Sequence, residues 1–270
     1  MNPHTKYRLK RWAASAGVRA RPVRPQRRDL RQFCAHLRTT GFQPGVVVDV
    51  GVADGTFEIY TVFPEAHYLL IEPLEEFMPA MRWIARHYQA DIALAAAGGE
   101  EGQVAIRFGQ AHEDMHGATV IPSLGSGPRL DLSTRTIAMR RIDSLVDNLQ
   151  RAGPILLKVD TQGSELEVVR GASGVLGRIE VIILEVSLFN FGQAQPEMVE
   201  VVSFMSDLGY VPYDMFDGYN RPLDNALAQI DIAFVKADGR FRRDARFAMP
   251  QAGMAPAAAL MRGLRRALKV

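Results

Sequence analysis

The chain has 270 residues, 47% of them hydrophobic, with a formal net charge of +2. That is enough to bury one sizeable core and too apolar for an intrinsically disordered chain. Its single cysteine, Cys34, excludes an internal disulfide and fits a packed thiol in a reducing cytoplasm, and the absence of any run of about 20 apolar residues argues against a transmembrane helix.

The charge is uneven along the chain. Lys6, Arg8, Lys10, Arg11, Arg19, Arg21, Arg24, Arg27, Arg28 and Arg31 are set against Asp29 alone, and the segment from Arg240 to Val270 repeats the basic bias. The boundaries expected from this are a basic extension over residues 1–28, one domain over 29–239 and a basic tail over 240–270. The first arm lacks the apolar stretch of about 7–15 residues that a secretory signal needs. The plainest reading of both ends is a solvated extension resting on the acidic body. An anionic membrane surface is the second reading, which would hold a cytoplasmic protein at the inner face, and nucleic acid is the weakest.

Apolar residues at helical spacing predict a helix over Asp29 to Leu37, which leads through Thr39-Thr40-Gly41 into an apolar run, Val46 to Val50, that reads as a buried parallel strand. A second strand, His67 to Ile71, ends at Glu72. Leu74 to His87 is helical, with Trp83 expected in the core. A strand around Ile92 to Ala96 then turns at Gly98-Gly99-Glu100-Glu101-Gly102 into a hairpin partner, Gln103 to Phe108. Gly109 to Thr134 has no periodicity and reads as a long irregular segment of the kind that often covers a site. Ile142 to Leu149 is a short helix, Pro154 to Val159 a buried strand, Glu165 to Leu176 a helix, Val181 to Leu184 a strand, Glu197 to Leu208 a helix and Tyr210 to Phe216 a strand. Ile230 to Lys236 is the last strand, antiparallel to the one before. Alternating strands and helices predict an α/β, doubly wound Rossmann-like sheet with its ligand crevice at the carboxyl ends of the strands. Asp49, Glu72, Asp160 and Glu185 would gather there.

The stretch Asp49-Val50-Gly51-Val52-Ala53-Asp54-Gly55 follows the first strand as a nucleotide-cofactor loop would, and its glycines allow a sharp turn and close backbone approach. Glu72, 21 residues beyond Gly51, suits the diol of a ribose. A carboxylate at Asp49 would repel a dinucleotide's pyrophosphate, and the full G-x-G-x-x-G spacing is absent. Asp49, Asp54 and Glu72 together suit a cofactor that carries sulfonium and ammonium charges, which favours S-adenosylmethionine over a nicotinamide.

These motifs, together with Ile71-Glu72-Pro73, Arg141-Ile142-Asp143-Ser144-Leu145, Leu157-Lys158-Val159-Asp160-Thr161-Gln162-Gly163-Ser164-Glu165, Gly171-Ala172 and Ile183-Leu184-Glu185, resemble the FkbM family of S-adenosylmethionine-dependent methyltransferases over about residues 45–237. The resemblance implies a class I methyltransferase sheet, mostly parallel with an antiparallel last strand. It further implies O-methylation of a hydroxyl on a sugar, glycolipid, polysaccharide or polyketide-like acceptor, with Gly51, Gly55 and Glu72 lining the cofactor pocket. Ala53 departs from the pattern, since many relatives carry Asn there. The rival from another class is a non-catalytic cofactor-binding or surface-recruited scaffold of the same fold.

Methyl transfer to a hydroxyl profits from a group that takes its proton. Asp160 is the first candidate and Glu185 the second. Asp160 has an alternative role, holding the cofactor's ammonium group or capping the helix that follows. The same two carboxylates leave open a divalent cation with oxygen ligands. His112-Glu113-Asp114-Met115-His116 matches H-E-x-x-H formally, but lies outside any helical pattern, so His116 or His112 is weighed as a substrate contact or base rather than a zinc ligand. Ser123 and Ser126 are weaker candidates for hydroxyl recognition. Glu165 is either a pocket wall or a first-turn acid, and Phe189, Asn190 and Phe191 wall the acceptor side or pack beneath a loop.

Overall fold

The computed structural model describes residues 29–109, 119–120, 132–149, 151–191 and 195–246. In chain order it has α1 (Leu30–Thr39), β1 (Val46–Val50), α2 (Phe57–Tyr60), β2 (His67–Glu72), a 3-10 turn (Glu75–Phe77), α3 (Met78–His87), β3 (Ala90–Leu94), β4 (Ala96–Ala97), β5 (Gly102–Gly109), β6 (Thr119–Val120) and β7 (Leu132–Arg140). There follow α4 (Ile142–Asn148), β8 (Ile155–Val159), α5 (Glu165–Arg170), a 3-10 segment (Ser173–Arg178), β9 (Ile179–Ser187), α6 (Met198–Asp207), β10 (Tyr210–Asn220) and β11 (Leu227–Lys236). No described helix is long and apolar enough to cross a membrane.

Seven strands form the main sheet in the order β10-β11-β9-β8-β1-β2-β3. β11 is antiparallel to both neighbours and the other contacts in this sheet are parallel, so the expected antiparallel last strand is present, inserted between β9 and β10. From β1 the chain winds outward through β2 and β3, then returns to β8 and winds the other way. The switch point between β1 and β8 opens a crevice at the strands' carboxyl ends.

β1 and β8 are buried on both faces and sort their side chains by alternation. Val46, Val48, Val50, Ile155, Leu157 and Val159 pack on one side with Val168, Val169, Val201 and Met205, whereas Val47 and Leu156 pack on the other with Leu30, Phe33, Cys34 and Leu37 of α1. Asp29 caps α1, its Oδ1 accepting from the Gln32 amide at 2.6 Å. Burial pushes the Cys34 thiol up, as expected of an inert packed cysteine.

The expected hairpin between residues 92–96 and 103–108 is not formed. β3 joins the main sheet beside β2, and β5 instead pairs with β7 and β6 in a second sheet of order β4-β7-β5-β6. The segment read as irregular therefore holds β6 and the first residues of β7, whose partner β5 lies about thirty residues earlier and leaves no local turn signal. The small sheet packs Ile106 and Phe108 on Leu74 and Phe77, which follow β2. Arg135 of β7 fixes it there with a two-pronged contact to Glu76 at 2.7 and 3.0 Å. Trp83, expected in the core, is instead 46% exposed, stacked on His87 with Phe57 at its edge.

Candidate active site

A cleft of about 240 Å³ opens at the carboxyl ends of β1, β2 and β8, beneath the small sheet. Val50 and Gly51 form its floor, Glu72 and Pro73 one side, Ala95, Ala96 and Ala97 a wall of small residues, and Asp160, Thr161, Gln162 and Ser164 the other side. Gly51 is required by its position. With φ at +75°, an added Cβ would stand 1.9 Å from the carbonyl oxygen of Asp160, so the β1 and β8 tips join only at glycine. Ala53 occupies the left-handed region at φ +44°, where asparagine is better tolerated than alanine.

Glu72 is buried at the end of β2. Its Oε2 accepts from the Ala53 amide and its Oε1 from the Leu74 amide, each at 3.0 Å. It therefore staples the glycine loop to the turn after β2, and each oxygen keeps a lone pair for a ligand. Burial pushes this carboxyl up, against the pull of the two amides. Gly55 sits beside α3, where an added Cβ would meet Ile84, and Asp54 is exposed outside the cleft lining.

Asp49 does not face the cleft. By the alternation of β1 its side chain lies on the Val47 face, fully buried, where the Tyr60 hydroxyl donates to Oδ2 and the Thr56 hydroxyl donates to Oδ1 at 3.2 Å. Its in-register neighbour on β8 is Lys158, also buried, with Nζ 3.8 Å from Asp49 and 3.0 Å from Asp160. Burial alone would lower the lysine, but Asp160 and Asp49 outweigh it and raise it, so Lys158 is charged. Burial pushes Asp49 up, opposed by Lys158 and the two hydroxyls.

The same face continues toward the far strands. Glu185 of β9 and Asp231 of β11 are directly opposed in the sheet register. Oε2 of Glu185 accepts from Gln162 and from Gln229, each at 3.2 Å, and Gln162 also lines the cleft. Burial, then the charge of Asp160, pushes Glu185 up to about 7. Burial pushes Asp231 up to about 8, with Asp160 and Glu185 adding to it and Lys158 opposing. Glu165 is buried in the first turn of α5, where it accepts from Thr161 at 3.1 Å and from the Gly163 amide at 3.0 Å, and burial pushes it up to about 7.

Asp160, Glu72, Gly51 and Gln162 are thus brought to one cleft, with Glu185 behind Gln162 and Asp49 behind the wall. Lys158 and Asp231 were missed by sequence reasoning, although a lone charge inside an apolar strand was the available signal. His116, His112, Ser123 and Ser126 lie outside the described residues. Among the described residues no group of three or more His, Cys, Asp or Glu side chains is arranged to hold a metal ion. Arg141 and Asp143 do not line the cleft. The arginine grips Asp143 at 3.0 and 2.6 Å and donates to the Gly99 carbonyl, while Asp143 accepts from the Ser144 and Gly174 amides, tying α4 to its surroundings. Phe189 carries the Arg221 guanidinium 4.0 Å above its ring, and Arg221 is paired with Asp224.

The cleft fits S-adenosylmethionine by its chemistry: small apolar residues for a purine and a buried carboxylate with free lone pairs for a diol. Residues 49–212 match the methyltransferase FkbM domain. No curated protein matches the chain. Among solved structures, it is similar to precorrin-6y C5,15-methyltransferase from Geobacter metallireducens GS-15 at 12% identity and a TM-score of 0.39, over 76% of this chain and 87% of that one. It is also similar to magnesium protoporphyrin IX methyltransferase from Synechocystis PCC 6803 with bound S-adenosylmethionine (11%, 0.42, 77% of each chain). A third is 1,6-didemethyltoxoflavin-N1-methyltransferase from Burkholderia thailandensis (13%, 0.41, 87% and 91%). Likenesses at this level carry no acceptor or mechanism to this chain.

Proposed function

Because the chain belongs to the FkbM methyltransferase family, and is thereby an S-adenosylmethionine-dependent methyltransferase, we propose that it methylates a hydroxyl oxygen, on a sugar, glycolipid, polysaccharide or polyketide-like acceptor, with Asp160 as the group that receives the hydroxyl proton. The observation that carries this reading is the placement of Asp160. Its side chain is 43% exposed at the cleft lip and is held at 3.0 Å by a buried, charged lysine. A carboxylate fixed in place and open to a ligand can accept a proton as the hydroxyl attacks.

Bound in the cleft, the cofactor supplies an already activated methyl group. The protein's own residues then have three tasks. Glu72 and the Gly51 turn hold the cofactor's sugar end, and Ala95 to Ala97 exclude water around its base. Lys158 fixes the Asp160 carboxylate, and Glu185, coupled to the cleft through Gln162, is a second carboxyl able to take the released proton. Orientation supplies much of the rate in such a transfer.

The test uses S-adenosylmethionine labelled in its methyl group with a panel of glycosides, glycolipids and polyketide alcohols. Label should appear as a base-stable ether in one acceptor class, and Asp160→Asn should lower kcat about 100-fold or more, the range for loss of a general base, while binding of S-adenosylhomocysteine persists. Label on nitrogen or carbon, or full activity in Asp160→Asn, overturns the reading.

A further inference from the structure

A second cavity, of about 460 Å³, lies at the edge of the main sheet opposite the active-site cleft, lined by Thr40, Tyr213, Arg240, Phe241 and Arg243. Thr40 ends α1 just before β1, Tyr213 is near the start of β10, and Arg240 to Arg243 follow β11, which runs the other way. Among the described residues no carboxylate lines it. That is unusual beside its neighbours, because Lys236 is paired with Glu180 at 3.2 Å and Arg246 with Asp244 at 2.5 Å, whereas neither Arg240 nor Arg243 has an acidic partner among the described residues.

Arg240 is built into place. One Nη donates to the Thr40 carbonyl at 3.1 Å, and the guanidinium lies 5.5 Å from the Phe241 ring centroid and 5.9 Å from that of Phe42. The backbone beneath it is pinned by the Gly239 amide donating to the Lys236 carbonyl at 3.0 Å and the Arg242 amide to the Gly239 carbonyl at 3.1 Å. Among the described residues one of its five N–H donors is occupied, which leaves the other side of the planar fork to a ligand. Tyr213 contributes a hydroxyl within 3.2 Å of the His36 Nε2, and its ring stands 5.4 Å from that of Phe241.

We propose that this cavity binds a phosphate ester. Two guanidinium groups without acidic partners, one of them oriented by an aromatic bracket, match a phosphate's oxygens and charge. The Phe241 and Tyr213 rings offer an apolar wall to the ester's organic part. A soluble phosphomonoester and a lipid phosphate headgroup share this chemistry. The proposal is independent of the methyl-transfer reading, since the cavity shares no residue with the cleft.

The full chain is titrated calorimetrically with inorganic phosphate and glycerol 3-phosphate, and sedimented with phosphatidylcholine vesicles with and without phosphatidic acid. Arg240→Gln, Arg243→Gln and the double variant are compared, with S-adenosylhomocysteine binding as the check on folding. Saturable glycerol 3-phosphate binding that weakens about tenfold or more in each single variant, the loss of roughly one charge-assisted hydrogen bond, assigns a soluble ester. Vesicle binding that needs phosphatidic acid and is lost in the variants, without glycerol 3-phosphate binding, assigns a headgroup. Absence of both interactions overturns the proposal. Binding that survives in a folded double variant overturns it as well, and moves the interaction to the basic termini.

Discussion

The Nζ of Lys158 stands 3.0 Å from Asp160 and 3.8 Å from Asp49, so one buried cation joins a carboxylate at the cleft lip to another sealed behind the cleft wall. The pairing follows from strand geometry, because Lys158 and Asp49 share a register position and a sheet face. It makes the electrostatics of the cleft depend on a residue that never lines it.

Replacing Lys158 by methionine leaves Asp49 buried without its cation. Removing one partner of a buried pair costs about 3–5 kcal/mol. Urea unfolding of Lys158→Met should show a loss of that order, and the double variant Lys158→Met with Asp49→Asn should recover part of it. A single variant as stable as the wild type would show that Tyr60 and Thr56 suffice for Asp49.

Burial pushes Glu185 up to about 7 and Asp231 up to about 8, from ordinary values of 4.5 and 3.8. Their pKa is raised, so the folded state holds more protons than the unfolded one between those limits, and stability falls as pH rises through that window. Asp231→Asn should therefore raise the melting temperature more at pH 8 than at pH 5. An equal shift at both would place the Asp231 pKa near its unfolded value.

Gly51→Ala puts a methyl group 1.9 Å from the Asp160 carbonyl oxygen at φ +75°. The β1 and β8 tips must part, which should abolish S-adenosylhomocysteine binding and lower the melting temperature by several degrees or more. Normal binding by this variant would mean that the two tips can separate without cost.

Ala53→Asn tests the opposite case. At φ +44° asparagine relieves strain that alanine does not, so the variant should gain about 0.5–1 kcal/mol in denaturant unfolding. No gain, or a loss, would show that the backbone at this position carries no strain that asparagine relieves.

The sheet was legible because its strands are short apolar runs punctuated by glycine and by a carboxylate. Val46 to Val50, His67 to Glu72 and Ile155 to Val159 appear where the sequence places them. What a run apolar on both faces conceals is which way a polar residue points. Asp49 read as a cofactor contact and turns instead to the Val47 face, with Lys158 and, further along, Glu185 and Asp231 on the same side. The pairing of β5 with β7 was hidden for another reason, since contacts between strands distant in sequence leave no local pattern. Trp83 was misjudged because an apolar residue at a helical spacing can still fall at the edge of the buried stripe, as its exposed stack on His87 shows.

The most direct test is calorimetric titration of the full chain with S-adenosylmethionine, S-adenosylhomocysteine and NADH, repeated with Glu72→Ala. Saturable binding of both sulfur cofactors, weakened about tenfold or more in Glu72→Ala and absent for NADH, is the predicted result. Binding of NADH in their place, or an affinity for S-adenosylhomocysteine that is unchanged without the Glu72 carboxylate, would contradict the assignment of this cleft.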